Sequence, residues 1–207
     1  MPKPTFFNLE QDKQDKIINA AIFEFADSPF SKVTIDKIVN RADIPKGSFY
    51  QYFVNKEDLY KHLYRVLSGD KAGKLKAYLS MADGKRFSQF IRELLRQGID
   101  YNFQDPKLLS INEKFMTNCT QELKDEILDL MIEDSNDMFQ QILSKYSQTG
   151  ELREGLNISL AAQILTTQTI YLSRNLIINS FESKQQVIDA MDEMISIIER
   201  GILEEKK

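Results

Sequence analysis

The chain has little of what enzymes and secreted domains use for their chemistry. Its 207 residues include one cysteine, Cys119, and one histidine, His62. A single cysteine cannot form an internal disulfide, so we expect a reducing, cytoplasmic setting. The sequence contains no Gly-x-Ser-x-Gly, His-Glu-x-x-His or Cys-x-x-Cys motif. These absences disfavour an enzyme, although a carboxylate-based active site stays open, and we expect no cofactor and no metal.

Long apolar runs are also absent. None is long enough to cross a bilayer, and we expect neither a signal peptide nor membrane association. Apolar content of 42% and charged content of 28% suit a soluble globular protein with one large or two small domains. The net charge of −4 at first argues against nucleic acid, but residues 32–65 hold seven Lys/Arg against four Asp/Glu. Such a surplus is compatible with DNA binding and too common to establish it.

A helix-turn-helix is predicted in residues 34–53. Apolar residues recur at i, i+3, i+4 and i+7 in its first helix: Ile35, Ile38, Val39 and Ala42. Thr34 stands just before this helix, where its hydroxyl can cap free backbone N–H groups. Asp43 and Pro45 then break the helix, because Asp tolerates a left-handed backbone and Pro suits the opening of the next helix.

The second helix has one aromatic face and one open face. Its inward positions are aromatic: Phe49, Tyr52 and Phe53. Residues 46–48, Lys-Gly-Ser, and residues 50–51, Tyr-Gln, are left to point outward. Gly47 has no side chain, so a DNA backbone or base edge can approach closely. Unpaired N–H groups at the start of the helix are also suited to phosphate.

Residues 16–60 resemble the DNA-binding domain of the tetracycline-repressor (TetR) family of transcriptional regulators. The resemblance rests on residues 17–25, on the segment KGSFYQYF at residues 46–53, and on Lys-Glu-Asp-Leu at residues 56–59. Two departures stand in the turn. Asp43 occupies a position where Gly is usual, and Pro45 replaces the usual Ser or Thr, so a side-chain cap is missing.

The resemblance implies an all-α fold, with a three-helix DNA-binding domain at residues 1–55 and a six-helix ligand-sensing and dimerisation domain at residues 56–207. Besides the two helices above, periodicity and caps predict helices at about 9–26, 55–79, 85–103, 106–117, 120–147, 159–180 and 183–204. These make nine helices, as in the family. Residues 1–7 are predicted to be a loose arm.

The resemblance also implies which side chains contact bases or phosphates. The candidates are Thr34, Lys46, Gly47, Ser48, Tyr50, Gln51, Tyr52 and Lys56. Three have a structural alternative: Tyr52 as part of the small core, Lys56 as a solvated charge, and Thr34 as a helix cap. Gln51 is able to read adenine or to bind phosphate, and the sequence does not choose between these roles.

Two sets of residues in the C-terminal part are less specific. Candidates for an apolar ligand pocket are large, soft or aromatic: Tyr64, Phe90, Leu94, Tyr101, Phe115, Met116, Met131, Thr167 and Tyr171. Candidates for a four-helix dimer interface form apolar stripes: Ile164, Leu172, Leu176, Val187, Met191, Met194, Ile195, Ile198 and Ile202. For both sets the alternative is the core of the monomer.

Three further features have a plain interpretation beside a functional one. His62 is expected to be a partly exposed residue rather than a ligand contact or pH sensor. Cys119 is expected to be a buried small residue rather than a redox sensor. The acidic residues 133, 134 and 137 are expected to form a solvated face rather than a metal site.

Together these expectations describe a homodimeric repressor. We expect it to bind a near-palindromic operator in double-stranded DNA. A small, largely apolar effector would release it by shifting the helix that begins at Lys56 and tilting the DNA-binding head. The alternatives are a helical protein-interaction module without DNA binding and a transcriptional activator of the same fold.

Overall fold

The computed structural model describes the chain apart from Met1 and residues 81–83, 178–182 and 203–207, and apart from the side chains of residues 68–76, 78, 79, 102–104 and 173–177. The described residues are all-α, as predicted. The helices are α1 (Pro4–Phe7), α2 (Gln11–Asp27), α3 (Ile35–Ala42), α4 (Lys46–Tyr52), α5 (Lys56–Leu79), α6 (Phe87–Gln104), α7 (Pro106–Asn118), α8 (Gln121–Ser147), α9 (Ile158–Ile177) and α10 (Lys184–Ile202). A 3-10 turn, Phe30–Lys32, precedes α3.

The described part of the chain has one helix more than the nine predicted. The addition is α1, which lies within the segment that was predicted to be a loose arm. Pro4 opens this helix, and the side chain of Phe6 is 1% exposed. The prediction of a loose arm is therefore wrong, because Phe6 gives the segment an apolar anchor. The other helices lie within a few residues of their predicted bounds.

The chain divides into two compact units, the first of which comprises residues 1–70 and 105–128. Its fully buried side chains come mainly from α2 to α5: Ile17, Ala21, Phe25, Ile38, Phe49, Phe53, Leu59 and Leu63. Ser110 Oγ and Lys114 Nζ on α7 donate to Ala26 O at 2.8 and 2.7 Å, near the end of α2. Carbonyls at a helix C-terminus lack partners within the helix, so these donors fix α7 on α2.

The second unit comprises residues 71–104 and 129–207. Its core is one apolar cluster from α6, α8, α9 and α10. Arg92 links α6 to α10 in this unit. Its guanidinium donates to Asp192 O at 2.9 Å, to Ser196 Oγ at 3.1 Å and to Glu199 Oε2 at 2.8 Å, all on α10. Because Arg92 is only 26% exposed, these pairs are better shielded from water than ordinary surface pairs.

Two of the plain interpretations agree with the structure. The thiol of Cys119 is buried, with Sγ 3.9 Å from Tyr60 Oη, and burial raises the pKa of the thiol. A reactive thiolate is therefore disfavoured at this position. Glu133, Asp134 and Asp137 are all exposed on α8, as a solvated face requires.

His62 differs from expectation, because its side chain is buried at 8% exposure. The ring lies edge-on to Phe6 and Phe7, with centroids 5.1 and 5.9 Å away. Among the described residues, nothing hydrogen-bonds to His62 Nδ1. Burial lowers the pKa of His62 from its ordinary 6.5; Asp58 opposes this shift and Arg65 adds to it.

We predict that His62 makes the folded protein less stable in mild acid. The unfolded histidine takes up a proton near pH 6.5, and the folded one does so only at a lower pH, so the unfolded state binds more protons just below pH 6.5. This contribution to the free energy of unfolding is complete above pH 6.5 and is lost as the pH falls through the lowered pKa. The comparison is between wild type and His62→Gln, by urea unfolding followed by circular dichroism from about pH 8 to 5.5. Subtracting one profile from the other removes the titration of the carboxylates, and a constant difference across this range would refute the prediction.

Candidate nucleic-acid interface

The turn between α3 and α4 has the backbone that the sequence predicts. Thr34 Oγ1 accepts from Lys37 N at 3.3 Å and so caps α3. Asp43 ends that helix in the left-handed region, with φ of 53°. Pro45 then occupies the N-cap position of α4, where its ring offers no capping oxygen. The position of α4 is therefore set by the packing of its inner face.

The two faces of α4 differ sharply in exposure. On the inner face Phe49 is 0% exposed, and its ring centroid lies 5.4 Å from that of Phe53. On the outer face Lys46 and Gln51 are exposed, Tyr50 is 45% exposed and Ser48 is half-buried. The structure thus brings Lys46, Gly47, Ser48, Tyr50 and Gln51 together on one accessible surface. Thr34, also exposed, precedes the helix that packs beside them.

Gly47 opens onto empty space in this surface. A Cβ atom built there meets nothing within 4 Å in the described part of the chain. The fold itself therefore does not require glycine at this position. The missing side chain matters only to something outside the chain that approaches the start of α4.

Lys46 is paired across the turn with Asp36 of α3. Its Nζ lies 2.8 Å from Asp36 Oδ1, and both side chains are more than half exposed. The hydrogen bond to Asp36 raises the pKa of Lys46, so the ammonium stays charged. The sequence analysis does not single out Asp36, although its position in the first turn of α3 could have indicated a partner for Lys46. A phosphate that binds Lys46 must compete with this carboxylate.

Two of the predicted phosphate contacts occupy other positions. Tyr52 is 6% exposed and packs edge-on to Phe6 at 6.3 Å, so the core alternative describes it. Lys56 Nζ donates to Phe30 O at 2.6 Å and Val33 O at 2.8 Å. These bonds fasten the start of α5 to the turn before α3, and burial lowers the pKa of the Lys56 ammonium. Neither residue belongs to the open face of α4.

The predicted pocket residues are divided between the two compact units. Tyr64, Phe115 and Met116 lie in the first unit, where the rings of Tyr64 and Phe115 are 4.8 Å apart. In the second unit Phe90 and Leu94 belong to the apolar core. Tyr101 and Met131 are half-buried, whereas Thr167 and Tyr171 are exposed. For Phe90 and Leu94 the alternative, plain core, is what the structure shows.

Much of the predicted dimer stripe likewise faces the monomer's own core. The buried members are Val187, Met191, Ile195 and Ile202, and those packed against that core are Leu172, Met194 and Ile198. Leu176 lies outside the described side chains. Ile164, by contrast, is 44% exposed on α9. Other apolar side chains exposed on α9 and α10 are Leu160 at 53%, Tyr171 at 56% and Ile197 at 65%. The periodicity therefore predicted the inner faces of these helices. Of the exposed apolar residues, the predicted dimer interface includes only Ile164.

Comparisons with known proteins agree with this geometry. Residues 17–63 match the model of "Bacterial regulatory proteins, tetR family". The fatty acid metabolism regulator protein of Bacillus subtilis is 26% identical over 160 residues, which are 75% of this chain and 79% of that protein.

Solved structures extend the likeness to the whole fold. A TetR family transcriptional regulator from Chloroflexus aurantiacus is 28% identical, with a TM-score of 0.57 over 99% of this chain and 100% of that one. The regulator FadR from Bacillus subtilis, in complex with stearoyl-CoA, is 22% identical, with a TM-score of 0.64 over 91% and 98%. No helix in the described ranges is long and apolar enough to cross a membrane.

The matched segment contains the whole of α3 and α4, together with the open face at Lys46 and Gly47. The likeness of fold continues through the helices that follow. Residues 17–63 therefore form a DNA-binding domain of the tetR family of bacterial regulatory proteins, and the chain as a whole has the fold of a TetR family transcriptional regulator.

Proposed function

We propose that this regulator is a cytoplasmic homodimeric repressor that inserts α4 into the major groove of a near-palindromic operator. The observation that carries the proposal is the open face of α4, where exposed Lys46, Tyr50 and Gln51 surround a glycine that the fold does not need. Two copies of α4 reach successive major grooves when they lie about 34–36 Å apart. A second copy of the chain is therefore part of the proposal.

The surface proposed for pairing is the outward face of α9 and α10. On α10 Ile197 and Gly201 are exposed four residues apart, and Ala190, seven residues before Ile197, is half-buried. On α9 the exposed apolar residues are Leu160, Ile164 and Tyr171. The two helices pack against each other in the second unit, and we propose that their exposed apolar residues form one surface. Apolar side chains this exposed in a monomer are typical of a surface that another subunit covers.

For the effector we propose a long-chain fatty acyl thioester. The class comes from the relatives, one a fatty acid metabolism regulator and one solved with stearoyl-CoA. The second unit offers support of its own. Thr166 is 1% exposed beside the apolar cluster, and neither its Oγ1 nor Asn136 Oδ1 has a hydrogen-bond partner within the described residues. Buried polar atoms without partners are costly unless something satisfies them, and the polar end of a bound ligand does so.

Lys46→Ala is predicted to weaken operator binding and to lower its salt dependence. Loss of one phosphate contact reduces the slope of log K against log salt by about 0.9. The measurement is fluorescence anisotropy with duplex DNA from the region upstream of the protein's own gene, repeated at several salt concentrations.

The matched variant is Asp36→Asn, which removes the competing carboxylate and keeps the shape of the side chain. Operator affinity should stay at wild-type level or rise, because Lys46 loses its partner within the protein. If Lys46→Ala leaves both the affinity and the salt slope unchanged, Lys46 does not contact phosphate. If the wild type fails to bind the duplex, the repressor proposal itself is in error.

Ile197→Asp is predicted to break the dimer. A buried, unpaired carboxylate at the centre of an apolar interface weakens association by more than about 100-fold. Sedimentation equilibrium of wild type and variant measures this change. Ile132→Asp is the control, since Ile132 is a 42% exposed apolar residue on α8 and not on the proposed face. A wild-type monomer at micromolar concentration, or a dimer that tolerates Ile197→Asp, contradicts the proposed interface.

Thr166→Val is predicted to stabilise the ligand-free protein and to weaken its response to stearoyl-CoA. Removing an unsatisfied buried hydroxyl raises the free energy of unfolding by about 1 kcal/mol. The same change removes a donor for the ligand, so more stearoyl-CoA is needed to release the operator. Urea unfolding and a release titration give the two readouts, with exposed Thr117→Val as the control. Equal release curves for the wild type and Thr166→Val would exclude Thr166 from the ligand site.

A further inference from the structure

Helix α4 is short and poorly supported by its own sequence. It spans seven residues, Lys46–Tyr52, and contains Gly47, a residue with low helix propensity. Pro45 gives it no side-chain cap at the beginning. Isolated helices of this length do not form in water, so contacts from outside must hold it.

The end of α4 leaves backbone acceptors to be satisfied. The last carbonyls of any helix have no partner within the helix. Here the carbonyl of Phe49 accepts from Phe53 N at 2.8 Å, at the point where the chain leaves the helix. The next three carbonyls, those of Tyr50, Gln51 and Tyr52, need donors from elsewhere in the protein. Tyr50 and Gln51 also carry side chains on the proposed DNA-binding face.

Donors to all three carbonyls come from the segment before α2. Lys3 donates twice, from Nζ to Tyr50 O and from its backbone N to Tyr52 O, both at 2.7 Å. Thr5 Oγ1 donates to Gln51 O between these two bonds. Three consecutive acceptors are thus matched by donors from residues 3–5. The Lys3 ammonium also places a positive charge at the negative end of the helix dipole.

An aromatic anchor holds this segment in place. Phe6 is 1% exposed, with its ring centroid 4.9 Å from that of Phe53 and 6.3 Å from that of Tyr52. Burial of a phenylalanine side chain stabilises a structure more than a single exposed hydrogen bond does. The ring of Phe6 therefore holds residues 3–5 where their donors reach the end of α4.

We propose that residues 3–6, here named the capping segment, are a positioning element for operator recognition. The segment supplies the C-terminal cap of the recognition helix and so sets the position of Tyr50 and Gln51. This inference rests on the proposed DNA binding and adds residues that do not themselves touch the operator. Lys3 acts through the carbonyl of Tyr50, and Thr5 acts through the carbonyl of Gln51.

The test variant is Thr5→Val, which keeps the shape of the side chain and the charge of the protein and removes one donor. Operator affinity should fall about three- to tenfold, the range expected for one lost hydrogen bond. The slope of log K against log salt should stay at the wild-type value, because no phosphate contact is lost. Thr5→Ser restores the donor and should restore the affinity.

Lys3→Met separates positioning from direct contact. A positioning role lowers the affinity and keeps the salt slope, whereas a phosphate contact lowers the slope by about 0.9. Thr117→Val is the matched control for Thr5→Val. Thr117 is an exposed threonine of the same unit, and its Oγ1 donates to Glu113 O within α7. It should leave operator binding unchanged.

Amide hydrogen exchange of residues 49–53 tests the cap without DNA. Thr5→Val should exchange these amides at least about threefold faster than wild type, and Thr5→Ser should not. Wild-type exchange and affinity in both Thr5→Val and Lys3→Met would overturn the proposal, as would a reduced salt slope in Lys3→Met. If the wild type binds no operator duplex, the proposed function fails and the positioning role with it, while faster exchange would still establish the cap.

Discussion

The first compact unit depends on the burial of two phenylalanines, Phe49 within α4 and Phe53 directly after it. Both are 0% exposed, and both lie on the side of α4 that faces away from the open surface. Burial of each contributes about 2–3 kcal/mol, while the missing N-cap at Pro45 costs about 1 kcal/mol. Core packing therefore outweighs the local defect, and the inner face decides which side chains the outer face can present. This is why the two departures from the usual turn leave α4 in place.

The sequence was sufficient wherever a single local rule determines the structure. The period of apolar residues placed α3, and the hydroxyl of Thr34 was correctly recognised as its cap. Asp43 adopts the left-handed backbone expected of a residue standing where glycine is usual. The open face of α4 followed from the same periodicity. Its contacts with bases and phosphates remain predictions, because the pattern shows exposure and not the identity of what binds.

The sequence was insufficient wherever distant segments compete for one residue. The family resemblance implies a phosphate contact for Tyr52, whereas its spacing also allows the core, and the ring of Phe6, 46 residues earlier in the chain, favours the core. Lys56 was assigned to phosphate, but two carbonyls before α3 accept its hydrogen bonds. In α10 the stripe of Val187, Met191 and Ile195 showed which face is buried, and could not show whether the same chain or a second chain buries it. The spacing of apolar residues predicts which face of a helix is buried, but not which residues or which chain cover that face.

The charges of the DNA-binding unit lead to a conclusion about specificity. The surplus of basic residues in residues 32–65 overstates the positive field, because Glu24, which lies outside that range, pairs with Arg41 at 2.7 Å. Lys46 is paired as well, with Asp36. In the proposed complex Lys46 exchanges its carboxylate partner for a phosphate, so the net gain is the difference between two exposed ion pairs, which salt screens. Such an exchange adds little preference for one duplex over another. Discrimination must then come from the uncharged part of the face, where Gly47 permits close approach and Gln51 can donate and accept. Those contacts require an accurately placed helix, and that requirement gives the aromatic core and the residues at the end of α4 their importance.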